Sequence, residues 1–289
     1  MRKRAAVFWA LIMAMSLAVP SFAEERPVSA EFSFNEYERI ETLQSMSDDD
    51  LKELDITEAD VDTMSEAFYE ALMDRAMLSY EELKRMGYSD DSISILRRFA
   101  AGEELSPEEL QAVSATCRGN IYCVGITKRG AYFYYEWRWD NAPIVKATDA
   151  AVVAWRAFGT DGEELKVSVT NTGNEIFYLV DNELVYIGNG DEIDTANFYA
   201  YAIKFPVTKN NGYAKEGRLF VEVEANDEIS RDISYIKVSG LYGHTYVGLS
   251  TPSITVSDSL DITISGAVLT DKIADYKVKI GVDGSFERI

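Results

Sequence analysis

Apolar and polar side chains alternate along short runs from Thr116 to the carboxyl end, and these runs are rich in Tyr, Phe, Trp, Val, Ile and Thr. Alternation of this kind places successive side chains on opposite faces of an extended chain, so it predicts antiparallel β structure. Helical crossover patterns are absent from this part of the sequence, which argues against a parallel sheet. We therefore predict a β-sandwich over 116–289, with extra strands or two small β units as open alternatives.

The predicted strands are separated by turn signals such as Thr172-Gly173-Asn174 and Asn210-Asn211-Gly212. We place them near residues 118–127, 131–139, 151–158, 164–171, 175–180, 183–187, 198–206, 218–224, 232–239, 244–249, 260–266 and 275–282.

Residues 24–115 have a different character, which predicts an acidic region of short helices. Four pairs have the spacing of a capping box, in which a hydroxyl side chain and an acid three residues later satisfy the first turn of a helix. These pairs are Ser47 and Asp50, Thr57 and Asp60, Ser79 and Glu82, and Ser106 and Glu109. Glycines at 87 and 102 are expected to end helices. The fold class predicted for the whole chain is α+β, a short-helix bundle followed by an antiparallel sandwich.

The longest predicted helix runs from about Glu58 to Leu78. Its apolar stripe is expected to consist of Val61, Met64, Phe68, Leu72 and Met73.

The charge balance excludes some classes of partner. The 289 residues include 49 Asp and Glu against 28 Lys and Arg, a formal net charge of −21, and residues 24–116 hold 25 of the acids with only 8 bases. Such a chain repels a phosphate backbone, so nucleic acid is not an expected partner. One His and two Cys are too few for a Cys/His zinc cluster.

Residues 1–23 predict a secretory signal peptide. Arg2, Lys3 and Arg4 precede an apolar run from Ala5 to Val19, and small residues at Ser21 and Ala23 suit a signal peptidase that cleaves after Ala23. An uncleaved membrane anchor is the alternative, but the apolar run is short for a span. We expect a soluble, secreted mature chain without a stable membrane anchor.

Cys117 and Cys123 leave two alternatives open in an oxidising compartment. If the chain between them is one strand, they lie roughly 20 Å apart and cannot bond. If Gly119-Asn120 forms a turn, the two cysteines face each other and a disulfide is possible.

The segment Ala131 to Asp140 is the most distinctive of the predicted strands. Phe133, Tyr135, Trp137 and Trp139 share one face and are expected in the core. The other face mixes Tyr132 and Tyr134 with Glu136, Arg138 and Asp140. Rings beside charged groups suit a sugar-binding platform, and Arg156 on a later strand is a further candidate. The alternative is simple cross-strand Tyr packing beside a Glu136–Arg138 ion pair.

Catalytic residues are not identifiable from the sequence. His244 is expected to be a surface or hydrogen-bonded structural residue, and nucleophile-elbow and zinc-protease motifs are missing. A carboxylate-dependent hydrolase needs only two placed acids, so it stays open. Asp191, Glu192 and Asp194 carry oxygens that suit calcium, but they lack the standard calcium-loop pattern, so an ordinary acidic loop and no cofactor are expected.

Short strings resemble secreted proteins of uncharacterised function from Gram-positive, gut-associated bacteria. The strings are Leu110 to Thr116, Tyr135 to Trp139, Ala142-Pro143 and Met86 to Ser89, and the resemblance spans about residues 80–160. It implies an exported bacterial protein with a helical region followed by a β-rich domain, and it implies no catalytic residue.

We therefore expect a secreted binding or interaction protein whose partner is an extracellular glycan or protein. A polysaccharide hydrolase and a structural surface component that assembles through an edge strand are the alternatives.

Overall fold

The structure is a computed structural model, which describes residues 30–53, 56–193, 199–226, 232–245, 253–257, 259–265 and 270–289. The predicted signal peptide and its cleavage site after Ala23 lie outside the described residues. Asp194 of the possible calcium loop also lies outside them.

Six helices occupy the described residues before Thr116: α1 (Glu36–Gln44), α2 (Asp48–Glu53), α3 (Glu58–Ala76), α4 (Tyr80–Arg85), α5 (Asp90–Ala100) and α6 (Pro107–Val113). Reciprocal capping boxes begin α3, α4 and α6, as predicted. Gly87 and Gly102 both have φ near +89°, which fits their predicted place after a helix end. On α3 the predicted stripe is buried except Met73, which is 39% exposed, so that assignment was wrong.

Sixteen strands are present among the described residues. They are β1 (Ala30–Asn35), β2 (Thr116–Ile126), β3 (Gly130–Trp139), β4 (Thr148–Phe158), β5 (Glu164–Leu165), β6 (Val167–Val180), β7 (Glu183–Gly188), β8 (Asp191–Glu192), β9 (Ala200–Pro206), β10 (Thr208–Lys209), β11 (Gly212–Ala225), β12 (Tyr235–Thr245), β13 (Ser253–Val256), β14 (Ile262–Ser265), β15 (Thr270–Gly281) and β16 (Phe286–Arg288). All the strand pairs are antiparallel, and the chain is of the mixed α+β class.

The strands form two large sheets and one hairpin. Sheet A has the order β1-β2-β3-β11-β6-β7, with β10 paired to β11, and sheet B has the order β16-β15-β12-β4-β9-β8, with β5 paired to β4. β13 and β14 form the separate hairpin. The sequence analysis did not predict β1, which precedes the helices and pairs along its length with β2.

One apolar cluster contains side chains of both large sheets. Sheet A contributes Phe133, Tyr135 and Trp137, and sheet B contributes Trp155 and Phe205, among others. The predicted core face of the aromatic strand, from Phe133 to Trp139, is confirmed, since these four side chains are at most 1% exposed.

The opposite face of sheet B is also covered. Val152 and Leu241 on that face form a second cluster with Ile254 and Ile262 of the β13–β14 hairpin. Burial on both faces explains why β4 is almost entirely apolar or small from Ala150 to Trp155.

Two predicted breaks in the strands were wrong. The predicted turn at Thr172-Gly173-Asn174 lies inside the continuous strand β6, and the two strands predicted at 232–239 and 244–249 are one strand as far as Thr245. Gly173 is explained by packing instead. A Cβ on Gly173 would come within 2.2 Å of the Phe220 ring, so the lack of a side chain on this glycine lets the ring lie over the strand.

Two aromatic rings of the core also pack directly against glycines. A Cβ on Gly217 would lie 2.3 Å from the Trp137 indole, and one on Gly240 would lie 2.5 Å from the Tyr135 ring. These aromatic side chains therefore occupy the space of a missing side chain on a neighbouring strand.

Three buried ionisable side chains join the helices to sheet B. His244 on β12 binds Asp149 of β4 through Nδ1 (3.0 Å) and Glu36, the first residue of α1, through Nε2 (3.2 Å). All three side chains are fully buried. The Tyr242 hydroxyl and the Thr245 amide also donate to Asp149, at 2.6 and 3.1 Å. We call Glu36, His244 and Asp149 the buried triad.

The same carboxylate holds the loop between β3 and β4. Glu36 accepts the backbone N–H groups of Ile144, at 2.9 Å, and Val145, at 3.2 Å. The buried Arg75 of α3 donates to the carbonyls of Ala142 and Pro143, at 3.1 and 2.6 Å. Two opposite charges from the helical region therefore fix one loop of the β region, and Ile144 and Val145 pack into the helical core.

The buried triad predicts a pH dependence of stability. Burial alone lowers the pKa of His244, but Asp149 and Glu36 outweigh it and raise the pKa from 6.5 to about 10. The imidazolium stabilises the fold fully below about pH 6.5, and this contribution is lost as the pH rises towards 10. In urea titrations between pH 6.5 and 9, we expect the free energy of unfolding to fall by up to about 1.4 kcal/mol per pH unit.

A His244→Gln variant is the control for this slope. It should be less stable by about 3–5 kcal/mol at pH 6.5, because two buried carboxylates lose their cation. Its free energy of unfolding should also change much less with pH than that of the wild type. A wild-type stability that is flat over this range would contradict a protonated His244.

Close packing of Trp137 on Gly217 gives a second stability prediction. Gly217→Ala should lower the free energy of unfolding by about 1–3 kcal/mol, because the new methyl group overlaps a buried indole. Gly125→Ala is the matched control, since nothing lies within 4 Å of a Cβ there. Equal stability of the two variants, measured by urea unfolding, would contradict this packing.

Candidate functional site

The outer face of sheet A, which points away from the shared core, carries most of the predicted binding residues. Tyr132, Tyr134 and Arg138 lie on this face of β3, and strands β2 and β11 flank β3 on either side. In register, Tyr122 and Phe220 lie opposite Tyr134. The sheet therefore brings aromatic side chains of three strands into one row.

Two of the rings in this row are in contact. The centroids of Tyr122 and Tyr134 are 4.9 Å apart, and the rings are inclined by 32°. The Asn120 side-chain amide donates to the Tyr122 hydroxyl at 2.9 Å. The predicted alternative of cross-strand Tyr packing is therefore present, and Tyr132 beside it is 36% exposed.

A cleft of about 460 Å³ lies next to the aromatic row. Its charged and aromatic lining includes Arg118, Tyr122, Glu136, Arg138, Phe177, Glu216 and Arg218. The cleft crosses strands β2, β3, β11 and β6, so no single segment of the sequence contains it. We call it the sheet A cleft.

The arginines of the sheet A cleft differ in their partners. Arg118 binds Asp140 through Nε and Nη2 at 3.2 and 3.1 Å, and Arg218 binds Glu175 at 2.6 Å. Among the described residues, no carboxylate lies within ion-pair distance of Arg138. The Glu136–Arg138 ion pair considered from the sequence does not form.

Arg156 does not belong to this surface, so the sequence-based grouping was wrong. It lies on sheet B, is 9% exposed, and binds Glu164 through Nη1 at 2.6 Å. Its guanidinium also lies over the Tyr199 ring, 5.4 Å from the centroid. The β13–β14 hairpin packs on Val152 and Ala154 of the same strand, β4.

The sequence analysis missed Arg118, Tyr122, Phe177, Glu216 and Arg218 as parts of one site. Alternation put Arg118 and Tyr122 on one face of β2, which was a usable signal. Alternation could not predict that β2 and β11 pair with β3. The pattern shows on which face of a strand a residue lies, but not which strand lies beside it.

The chemistry available in the cleft is hydrogen bonding, ion pairing and ring stacking, with two carboxylates in reach of solvent. His244 lies outside the cleft, fully buried and hydrogen-bonded to two acids. This agrees with the hydrogen-bonded structural role considered from the sequence.

Two residues of the possible calcium loop, Asp191 and Glu192, lie within the described residues. Glu192 accepts the Tyr201 hydroxyl at 3.2 Å, and Asp191 and Glu192 pair as β8 with β9. Within the described ranges, no group of three or more His, Cys, Asp or Glu side chains is placed to hold a metal ion. Among the helices described, none is long and apolar enough to cross a membrane.

Comparisons with known proteins give no family. No family model matches the chain, and no curated protein matches it. Three of the solved structures that match do so at 7–10% identity. A structure titled AvmM, which catalyses macrocyclization in alchivemycin A biosynthesis, has a TM-score of 0.22, with 10% identity over 50% of this chain and 85% of that one.

Two further matches are the full-length RrgB pilus protein of Streptococcus pneumoniae and the Clostridium perfringens delta-toxin. The first has a TM-score of 0.24, with 10% identity over 57% of this chain and 30% of that one. The second has a TM-score of 0.16, with 7% identity over 61% of this chain and 82% of that one. Similarity at this level carries no argument about function.

The two cysteines do not form a disulfide. Cys117 and Cys123 are free and belong to the one continuous strand β2, which is the first of the two alternatives considered from the sequence. The turn at Gly119-Asn120 is wrong, because both residues pair with β1 and β3. Burial raises the pKa of Cys123 to about 11 and that of Cys117 well above its usual value.

Thiol titration checks this assignment. Unfolded protein that has never met a reductant should give two reactive thiols per chain, and the folded protein should react much more slowly, because burial hinders access and disfavours the thiolate. The control is protein that has been reduced before unfolding, which should give the same number of reactive thiols. Fewer than two thiols before reduction would contradict the free cysteines.

Proposed function

We propose that this protein is exported and binds an extracellular glycan through the sheet A cleft and the aromatic row beside it. The observation that carries the proposal is the combination of accessible rings and charged donors on one sheet face. Tyr122, Tyr134 and Phe177 offer flat apolar surfaces to sugar C–H faces, and Arg138 and Glu136 offer hydrogen bonds to hydroxyl groups.

The proposal includes a β-sandwich as the binding domain. What supports it is the core between sheets A and B, to which both contribute large buried rings such as Trp137 and Trp155. In this arrangement one sheet face is free for a ligand, as a binding module requires. Export rests on the signal peptide expected at residues 1–23, and the absence of a nucleic acid partner rests on the net charge of −21.

A second function, polysaccharide hydrolysis, is favoured by one observation. Glu136 and Glu216 lie in the same cleft on adjacent strands, and a pair of carboxylates across a cleft is the minimum for glycoside cleavage. Turnover of a bound polysaccharide that is lost in Glu136→Gln or Glu216→Gln would establish this function over simple binding.

The test is binding of the full chain to a panel of soluble polysaccharides and cell-wall preparations, followed by Trp fluorescence or calorimetry. The full chain is needed because β1 and Glu36 precede the helices and yet complete the β region. Tyr134→Ala should weaken binding by about tenfold, since one stacking ring is lost. Tyr80→Ala is the control, because Tyr80 is 47% exposed on α4, outside the cleft.

Other results would redirect the assignment. Equal binding by both variants would show that the aromatic row is not the recognition surface. Binding to no glycan, together with a concentration-dependent oligomer in light scattering, would favour a structural component that assembles through an edge strand.

A further inference from the structure

A pair of like charges lines the sheet A cleft. Arg118 and Arg138 lie directly opposite each other on β2 and β3, and both are exposed. Like charges in directly opposed positions destabilise an antiparallel pair. Asp140 binds Arg118, and Glu216 of β11 lies opposite Arg138 without forming an ion pair with it among the described residues.

The neighbouring groups only partly neutralise this pair. The Asp140 carboxylate binds Arg118, and the Asp140 backbone carbonyl accepts a hydrogen bond from Lys215 Nζ at 2.6 Å. Arg138 has no ion-pair partner among the described residues. Burial lowers the pKa of Lys215, and the nearby Arg138 lowers it further, whereas Asp140 and Glu216 raise it. Arg138 is therefore the cation of the cleft lining without a carboxylate partner among the described residues.

The cleft is less acidic than the chain as a whole, in which acids outnumber bases by 49 to 28. Three arginines and two glutamates line it, and Asp140 and Glu175 pair with Arg118 and Arg218. Charges separated by more than about 8 Å are largely screened at physiological salt, so a ligand in the cleft experiences the nearby arginines more than the net charge.

On this basis, and assuming the proposed glycan site, we propose that the sheet A cleft binds an acidic glycan and that Arg118 and Arg138 together bind its carboxylate or sulfate group. Arg138 supplies the cation that lacks a partner, and Arg118 approaches the same anion from the opposite strand. The sugar ring lies against Tyr122 and Tyr134, which adjoin the arginines on the same two strands.

The dimensions favour a charged sugar over a nucleic acid. A cleft of about 460 Å³ is within the usual range for small-ligand pockets and holds a few sugar units. A nucleic acid backbone needs a long basic track, because it carries one charge every few ångström. The sheet A cleft offers a short cluster of arginines instead.

The experiment compares ligands that differ only in charge. Polygalacturonate and its fully methyl-esterified form test the carboxylate, and dextran sulfate and dextran test the sulfate. We expect the full chain to bind at least one charged form at least tenfold more tightly than its neutral partner, and this preference should shrink as salt is raised.

Two arginine variants locate the anion. Arg138→Gln should weaken binding of the charged form by about tenfold or more, and Arg118→Gln should weaken it to a similar extent. Arg85→Gln is the matched control, since Arg85 is exposed, pairs with Asp181 and lies outside the cleft. Circular dichroism and thermal unfolding confirm that each variant is folded.

The outcomes separate this inference from the proposed function. Equal affinity for charged and neutral forms, with Tyr134→Ala still harmful, would overturn the acidic ligand and leave glycan binding intact. Charged-form binding that survives both arginine substitutions would also overturn it, because the anion would then bind elsewhere. Binding to no polysaccharide would overturn both.

Discussion

The hydrogen bonds among Glu36, His244 and Asp149 determine how the two halves of the molecule are joined. The three residues come from the start of a helix and from two strands of sheet B, and they are fully buried. Buried charges are costly unless each finds a partner, and here the imidazolium lies between two carboxylates while backbone amides satisfy the rest of Glu36. Separating the helices from the sheets would leave these charges unpaired, so the two regions are expected to unfold together.

This junction also decides which surface is left for a ligand. The helical core takes up Ile144 and Val145, the inner faces of both sheets fill the shared core, and the β13–β14 hairpin covers the outside of sheet B. The outer face of sheet A carries exposed Tyr132 and Arg138 instead. These two side chains lie outside the buried apolar clusters, so they can serve recognition without weakening the core.

Local signals in the sequence predicted local structure well. Thr57 and Ser106 begin helices because a cap needs only residues three positions apart, and Phe133 lies in the core because alternation defines a face. Interactions between distant segments were not predictable. His244 lies 208 positions from Glu36, and Gly173 was taken for a turn because the ring that lies over it belongs to Phe220 on another strand.

The candidate site shows the same limit in functional terms. Tyr134 and Arg138 could be named from one strand, but the features that give the cleft its chemistry are relations between strands. Arg118 became significant only when the register placed it opposite Arg138, since an isolated exposed arginine is unremarkable in any soluble protein. Arg138 is an accessible cation that forms no ion pair among the described residues and lies opposite a second arginine, so an external anion is the partner that we propose for it.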